Sequence, residues 1–353
     1  MIDRIIDLLR GLKDHIDAAI KLAKPAPNDL NQGRKGLKGS GEEQRDPKRK
    51  QVIKAVRMLE SDRLETRLLG IKELEELARD SKDRQRRIIE ALTACVRRNS
   101  PWYLWKSYVQ SKDSLLKPGA DIQSILEIVA HYKRKWNGDE DYPIDLSRTD
   151  LRGADLRRAR LEWANLQESH LENADMVEAN LHGAFMAKTS IKKVRLPLAE
   201  LAYAFLEYAN LEGADLRNAN LKNARLIKAN LKWANLGSFT DPEGRMHGSA
   251  NLEGANLESA NLQNANLSGV NMSGANLWGA KLQGANFDAA ILKDANLSYT
   301  KLKGAKNLTA EQLSKVKTLY LAKLDPQLMV EVSMKAPQLL VPTNIFDMLK
   351  EQG

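Results

Sequence analysis

Leucine, or a residue of similar size, falls at every fifth position from Leu146 to Leu236 and again from Leu252 to Leu302. A small residue, usually alanine, stands two positions before each leucine, and asparagine or aspartate usually stands between them. Helical faces recur about every 3.6 residues and strand faces every 2, so neither element explains a period of five. The pattern therefore predicts short extended segments that are separated by regular corners.

Each five-residue unit divides into three extended residues and two turn residues. The alanine and the leucine of the extended part face inward together, while the middle residue faces outward. The other two positions are rich in Gly, Asn, Ser and charged residues, and the small polar types among them favour turns. Four corners close a square, so four units form one coil with four leucines at its axis. Coils stacked about 4.8 Å apart predict a rod of roughly 36 Å.

Stacked coils place each residue above the residue twenty positions later, and the charged residues test this arrangement. Two such columns largely alternate in sign, as cross-strand pairing favours. The columns are Arg152, Glu172, Lys192, Glu212, Lys232 and Arg148, Glu168, Lys188, Tyr208, Lys228. The alternative interpretation is chance alternation within a charged surface.

Units such as Ala154-Asp155-Leu156, Ala214-Asp215-Leu216 and Ala265-Asn266-Leu267 resemble the A(D/N)LXX motif of the pentapeptide-repeat family. The resemblance covers close to half of the chain, over residues 144–304, and it is specific for fold rather than for function. It implies the family's right-handed quadrilateral β-helix. Between Phe185 and Phe205 several units depart from the motif, so we expect this stretch to be locally wider or bent.

Residues 51–136 return to helical periodicity and predict a small antiparallel bundle. Its apolar stripes are Leu64, Leu68, Ile71, Leu74, Leu77, then Ile88, Leu92, Cys95, Val96, and then Ile122, Ile125, Leu126, Val129. An open solenoid exposes unpaired strand edges, so we expect this bundle to cap the first coil. At the other end, Thr309 and Gln312 form a capping-box pattern that opens a helix through about Leu319.

The expected fold is thus mainly a β solenoid with added α-helices: a quadrilateral β-helix with an N-terminal helical bundle and a C-terminal capping helix. The predicted regions are an amphipathic helix at 1–23, a flexible basic linker at 24–50, the bundle at 51–138, the β-helix at 139–305 with a loop at 237–249, and a helical cap or tail at 306–353. The linker is too polar to order itself, and polyanion binding by its basic residues is the alternative to a solvated spacer.

The first 23 residues carry an apolar helical stripe. Its members are Ile2, Ile5, Ile6, Leu9, Leu12, Ile16 and Ile20. We interpret this stripe as a surface that packs on a partner helix, either within the chain or across a homodimer formed by the terminal helices. Membrane-surface binding is the alternative, but the polar side mixes aspartates with basic residues, whereas a membrane binder is more one-sidedly basic.

Composition indicates folded cores, since 42% of the residues are hydrophobic, and the presence of one cysteine fits a reducing cytoplasm. The single cysteine, Cys95, excludes a disulfide framework and is interpreted as a core residue. No apolar run approaches eighteen residues, so no membrane span is expected. The formal net charge is +9, and most of the excess lies upstream of the repeats, which are themselves nearly neutral.

The chain offers no recognisable catalytic chemistry. Its five histidines have no metal-ligand spacing, and it contains no nucleophile elbow, phosphate-binding loop or dinucleotide fingerprint. The outward Asp and Asn residues of the repeats stand singly and supply no obvious acid and base pair. We therefore expect a protein that is not an enzyme and that binds no cofactor or metal.

Two features stand out as candidate partner-binding surfaces. The first is the loop that interrupts the repeats, with Phe239, Arg245, Met246 and His247 as contact candidates. The second is a set of outward aromatic residues, Phe185, Phe205 and Tyr208, with Arg225 nearby in the same columns. The alternatives are a passive insertion for the loop, and docking of the protein's own terminal helices for the aromatic residues.

The main functional hypothesis is a scaffold that binds another protein through the rod, the loop or the bundle. A second hypothesis is nucleic-acid binding by the basic upstream half, which is less favoured. It would use Arg84, Arg86, Arg87, Arg97, Arg98 and the linker lysines. The family resemblance adds a third, topoisomerase modulation by DNA mimicry as in the quinolone-resistance group. DNA mimicry needs a densely negative surface, so the near-neutral rod disfavours it.

Overall fold

The computed structural model describes residues 47–79, 82–102, 117–131, 144–240, 244 and 246–342. The apolar stripe predicted within 1–23 and most of the predicted linker lie outside these residues. The helices before the repeats are α1 (Pro47–Met58), α2 (Leu64–Arg79), α3 (Lys82–Asn99) and α4 (Ala120–His131). The later elements are β1 (Phe239–Thr240), β2 (Met246–His247), α5 (Ala310–Leu313), α6 (Pro326–Lys335) and a 3-10 helix (Pro337–Leu340).

The upstream helices pack through the apolar stripes that the sequence predicts. Helix α2 buries Ile71 and Leu74, while Leu64 at its start stays 38% exposed. Gly70 lets α1 approach closely, because a Cβ there would lie 2.8 Å from the Cβ of Met58. Helix α1 begins at Pro47, so its first turn lies within the stretch expected to be linker.

Residues 144–306 form a four-sided rod in which each unit closes its own corner. In a representative unit, the amide of Ala154 donates to the carbonyl of Leu151 at 3.1 Å, and Leu151 donates to His170 of the next coil at 2.7 Å. The second turn residue has a positive φ, as at Arg158 with φ 58°. The inward leucines and alanines are almost fully buried, and they join the core of the helices in one continuous cluster.

Each face of the rod is a column of middle residues that pair in parallel with the next coil. The first face runs through Asn165, Phe185, Phe205 and Arg225, the second through His170, Ser190, Asn210 and Asn230, the third through Asp175, Arg195, Asp215 and Asn235, and the fourth through Asn180, Glu200, Asn220 and Asn251. The pairs are single bridges rather than long strands, because a face offers only three extended residues before the next corner.

The irregular units between Phe185 and Phe205 keep the ordinary spacing between coils, although one corner bond, from Val194 to Ile191, is long at 3.4 Å. Leu181 donates to the carbonyl of Glu200 at 2.7 Å, and Glu178 donates to that of Pro197 at 3.0 Å. These lengths match those of the regular coils. Proline is compatible with the first position of such a turn, because its fixed φ suits that position.

The predicted charge columns exist, although only part of each column pairs along the rod. Arg148 contacts Glu168 at 3.0 Å, and Lys192 contacts Glu212 at 3.4 Å. Arg152 instead bonds to Asp150 within its own unit. A short side chain two positions away competes with a partner one coil away, which sequence spacing alone does not reveal.

The segment before the repeats covers the first coil, with at least one polar contact to each of its four faces. The Arg97 guanidinium donates to the Asp145 carbonyl at 2.5 Å, the Asp150 amide to the Ser100 carbonyl at 2.7 Å, the Asp155 amide to the Gln123 amide oxygen at 3.2 Å, and the Arg160 amide to the Ala130 carbonyl at 2.7 Å. Backbone groups that would otherwise form an open edge are therefore satisfied by the helices.

A short helix replaces the fourth face at the far end. The Thr309–Gln312 capping box is present, and the Gln312 side chain donates to the carbonyls of Phe287 and Ala290 at 2.8 and 3.0 Å. Helix α5 ends at Leu313, earlier than the sequence predicted. The two bonds from Gln312 attach α5 to the coil that precedes it.

The rod resumes after α5, past the predicted end at residue 305. Thr318 pairs with Asn296 on the first face, and Lys323 pairs with Lys301 on the second. Buried Leu319 and Leu324 restore the five-residue step. The amide of Leu319 then donates to the carbonyl of Leu339 in the 3-10 helix at 2.7 Å, so the segment after α6 covers this edge.

Cys95 lies in the core of the helices, where it is 3% exposed. Burial raises the pKa of its thiol from the ordinary 9.0 to about 11, although a hydrogen bond from Asn99 opposes this change. The neutral thiol is therefore the form that the fold stabilises, and the thiol should resist alkylation near neutral pH.

This pKa shift predicts a loss of stability at high pH. The unfolded thiol ionises near 9.0 and the folded one near 11, so the contribution is complete below pH 9 and disappears as the pH rises through 11. The wild type should lose on the order of 2 kcal/mol relative to Cys95→Ala across that window. Urea unfolding of both proteins at each pH measures the difference, and a constant difference would contradict the prediction.

Candidate interaction surface

Phe185 and Phe205 stack on each other on the first face, with ring centroids 5.0 Å apart and planes 12° apart. Parallel rings this close cannot lie side by side in one plane, so they overlap along the rod axis. The Arg225 guanidinium lies 5.5 Å from the Phe205 ring, one coil further on. Glu207 holds that guanidinium with a contact of 2.7 Å. Phe205 is therefore covered by Phe185 and Arg225, its neighbours in the column.

Three further aromatic side chains line the corner that precedes the first face. His182 lies 5.6 Å from Trp163 and 5.5 Å from Tyr203, measured between ring centroids. Gly183 makes room for this group, since a Cβ there would lie 2.5 Å from the Trp163 ring. Sequence reasoning missed these residues because it started from the outward middle positions and added only Tyr208 from the corners. The step of twenty residues places Trp163 and Tyr203 in one column with Gly183, and His182 directly precedes that glycine.

Tyr208 occupies the corner on the other side of the first face and is 54% exposed. The ammonium of Lys228, one coil later, lies 5.4 Å from the centre of its ring. Together with the residues above, Tyr208 completes a surface that we term the aromatic face. Its members are Trp163, His182, Phe185, Tyr203, Phe205 and Tyr208. The structure thus brings together all three aromatic residues that the sequence proposed for this site.

The predicted loop is a hairpin located elsewhere on the rod. Phe239 pairs with His247, and Thr240 with Met246, in antiparallel register. Arg245, the fourth contact candidate, lies outside the described residues. The hairpin leaves the corner between the third and fourth faces, diagonally opposite the corner that carries Tyr208. The two sets of candidate residues therefore form separate surfaces.

Lysines flank the second face in the same coils as the aromatic face. Lys188 and Lys228 occupy one corner, whereas Lys192, Lys193 and Lys232 occupy the other. Lys192 pairs with Glu212 at 3.4 Å. Within the described part of the chain, the remaining four have no carboxylate partner.

Trp233 adds an exposed ring to the edge of this lysine-bearing surface. It is 57% exposed, and the Lys232 ammonium lies 5.9 Å from its ring. We term the surface formed by Lys188, Lys192, Lys193, Lys228, Lys232 and Trp233 the lysine face. It adjoins the aromatic face along the corner that carries Tyr208.

The arginines proposed for nucleic-acid binding are largely committed to internal contacts. Arg86 contacts Glu90 at 3.3 Å and Arg98 contacts Glu60 at 3.4 Å. Arg97 contacts Asp145 and helps to cover the first coil. Such pairing reduces the positive potential that would attract phosphate groups.

A stacked pair joins the helical cap to the second face, where Trp102 lies parallel to His170 at 5.6 Å. His170 also contacts the Glu172 carboxylate at 3.2 Å. Burial raises the pKa of Glu172, but hydrogen bonds from His170 and Ser190 outweigh it, so the net pKa is below its ordinary value. These groups stabilise the junction and form no recognisable acid and base pair for catalysis.

The residues that the structure describes contain no group of three or more His, Cys, Asp or Glu side chains that could hold a metal ion. Among the same residues, no helix combines the length and apolar character that crossing a membrane requires.

Comparisons with known proteins match the repeat region. A family model described as pentapeptide repeats, with 8 copies, matches residues 144–183, 154–192, 199–237, 248–274 and 271–306. The chain has no significant match among curated protein sequences.

Similar solved structures are pentapeptide repeat proteins. One is HetL of Nostoc sp. strain PCC 7120, which is involved in heterocyst differentiation regulation (27% identity, 51% of this chain and 82% of that chain, TM-score 0.31). A protein of the Arabidopsis thaliana thylakoid lumen is 25% identical (35% of this chain, 78% of that chain, TM-score 0.28). QnrB1, a plasmid-mediated fluoroquinolone resistance protein, is 21% identical (55% and 97%, TM-score 0.25). Residues 144–306 are thus pentapeptide repeats, and this part of the chain matches the model of the pentapeptide-repeat family.

Proposed function

We propose that this protein is a non-catalytic cytoplasmic scaffold that binds another protein through the aromatic face. The observation that carries the proposal is the Phe185–Phe205 stack, which replaces the polar middle residues usual on the other faces. Around it, Tyr203 is 49% exposed and Tyr208 is 54% exposed. Clustered aromatic side chains on a rigid support are typical of protein interaction sites. The right-handed coil implied by the family would supply that support.

The stacking geometry favours a protein partner over single-stranded nucleic acid. Nucleic-acid platforms offer an open ring face to each base. Phe205 has Phe185 at 5.0 Å and the Arg225 guanidinium at 5.5 Å, its neighbours before and after it in the column. Its outward edge is what remains for a partner, and ring edges pack well against aliphatic and aromatic side chains.

Two further elements of the proposal concern the ends and the corner of the rod. The hairpin at 237–249 would provide a secondary contact, because it projects from a rigid corner. Terminal helices would allow a homodimer, since Val330 and Met334 of α6 are 52% and 79% exposed. Topoisomerase modulation by DNA mimicry is disfavoured, since exposed lysines flank the second face.

The double variant Phe185→Ser with Phe205→Ser tests the aromatic face. Tagged wild-type protein is used to capture partners from a native extract, and quantitative mass spectrometry compares them with those of the variant. We expect partners to be reduced about tenfold, in line with the loss of a central aromatic contact. Ile291→Ser is the matched control, because Ile291 lies on the fourth face and is 50% exposed.

Recovery of the same partners in equal amounts by the double variant would overturn the proposal. Circular dichroism and thermal melting establish that both variants remain folded. Deleting residues 237–249 in parallel separates the contribution of the hairpin from that of the aromatic face.

A further inference from the structure

The lysine face differs from the rest of the rod in how its charges are arranged. Elsewhere, basic side chains commonly pair with acidic ones one coil away, as Arg158 does with Glu178 at 2.9 Å and Lys222 with Glu253 at 3.0 Å. The lysine face holds five lysines, and the nearby acids Glu207 and Glu212 are already paired with Arg225 and Lys192. The lysine face therefore carries a local excess of positive charge, whereas the rod as a whole is nearly neutral.

We propose that the lysine face recognises an acidic polypeptide segment of the partner that occupies the aromatic face. This inference rests on the proposed function and specifies the chemistry of the partner. The two faces meet at the corner of Tyr208, so one extended segment that runs along this corner can contact both. Its apolar side chains contact the ring edges of the first face, and its carboxylates contact the lysines of the second.

The spacing of the lysines suits such a segment. Lys188 and Lys228 lie two coils apart, which is about 10 Å along the rod. An extended peptide covers that distance in about three residues. Side chains of an extended segment alternate between its two sides, so carboxylates two or four positions apart share the side that faces the lysines, and the long lysine side chains bridge the remaining few ångströms. The residues between the carboxylates point to the other side, toward the aromatic face. Exposed ion pairs are individually weak, so recognition requires several of them acting together.

Single-stranded nucleic acid is the competing anionic occupant, and the ring contacts argue against it. Base stacking needs accessible ring faces. The Lys228 ammonium lies 5.4 Å from the Tyr208 ring, and the Lys232 ammonium lies 5.9 Å from the Trp233 ring. Each of these two rings therefore already has a cation beside it, with the Lys228 ammonium 3.5 Å from the Tyr208 hydroxyl oxygen, and the cation itself remains open to a carboxylate.

The test uses the full chain and a defined probe, a fluorescent peptide in which glutamates alternate with leucines. The same peptide with glutamine in place of glutamate and an oligothymidylate of equal length are the comparison probes. The variant combines Lys188→Gln, Lys193→Gln, Lys228→Gln and Lys232→Gln. The control removes the same charge from exposed positions elsewhere, with Lys281→Gln, Lys293→Gln, Lys301→Gln and Lys303→Gln.

We expect the lysine-face variant to bind the acidic peptide about tenfold more weakly than the wild type and to lose most of the salt dependence. The control variant should stay within about twofold of the wild type. Absence of binding to the acidic peptide at low salt, equal weakening by both variants, or tighter binding of oligothymidylate that depends on the same lysines would each overturn the proposal.

The proposed function can fail separately from this inference. If the variant Phe185→Ser with Phe205→Ser loses its cellular partner while the lysine-face variant keeps it, partner binding by the aromatic face is supported and recognition of an acidic segment is overturned. If the lysine-face variant loses that partner while the phenylalanine variant keeps it, the acidic recognition stands and the assigned aromatic contact is overturned.

Discussion

Replacing Leu211 with alanine is expected to lower the free energy of unfolding by about 3 kcal/mol. Leu211 is fully buried at the axis of the rod. Its amide donates to the carbonyl of Asn230 in the next coil at 2.7 Å, and similar bonds repeat along every face. Because these bonds fix the spacing of the coils, and corner bonds such as that from Ala214 to Leu211 at 3.0 Å fix the path of each coil, the surrounding chain cannot collapse into the space that the smaller side chain leaves. The cavity therefore persists, and its cost adds to the lost burial.

Urea unfolding followed by circular dichroism measures this effect as a shift in the midpoint of the transition. Leu321→Ala is the matched control, because it removes the same atoms from a leucine that lies on a corner and is 46% exposed. The control should lose less than about 1 kcal/mol. Equal losses at the two positions would show that the axis of the rod is not tightly packed.

Removal of residues 1–143 is expected to convert the protein into self-associating species. The truncation deletes Ser100, Gln123 and Ala130, which bond to three faces of the first coil. It also uncovers the inward leucines of that coil, among them Leu146 and Leu151, each worth on the order of 1.5 to 3 kcal/mol when fully buried. An uncovered strand edge pairs readily with another copy of the chain.

Sedimentation velocity across a range of concentrations distinguishes the outcomes. A shorter truncation that removes only residues 1–46 keeps all four described helices before the rod, and it serves as the control. We expect the short truncation to sediment like the full chain and the long one to form larger species as its concentration rises. Identical behaviour of the two truncations would falsify a protective role for the helices.

The rod itself is predictable from the sequence because the period of five leaves almost no other arrangement. Its limits are less predictable. Leu319 and Leu324 are again five residues apart, but Leu319 lies seventeen positions after Leu302, and α5 lies between them. A pattern search that requires consecutive units stops too early. Hydrogen bonds from Gln312 to the preceding coil decide where the helix ends, and no periodicity encodes them.

The candidate site was only partly visible in the sequence. Phe185 and Phe205 were found because they replace the Asn or Asp that the motif expects, and Tyr208 was noticed beside them. Trp163 and Tyr203, like Tyr208, occupy corner positions where the motif allows any residue, so the motif alone does not reveal them. Their proximity follows from the stacking of coils rather than from the motif. Contacts of the cap, such as Ser100 with Asp150, depend on single polar groups and leave no periodic trace.

The hairpin shows that insertions at a corner leave distant coils undisturbed. Asn220 pairs with Asn251 across the insertion, and Asn251 pairs with Asn271 at the ordinary step. The position of a surface group on this rod is therefore set by its face and its coil. It does not depend on how many residues have been inserted at another corner. Changes in length can then accumulate at one corner during evolution while a contact assembled from other faces keeps its spacing. Segments of foreign sequence placed between Gly237 and Ser249 would inherit the same independence.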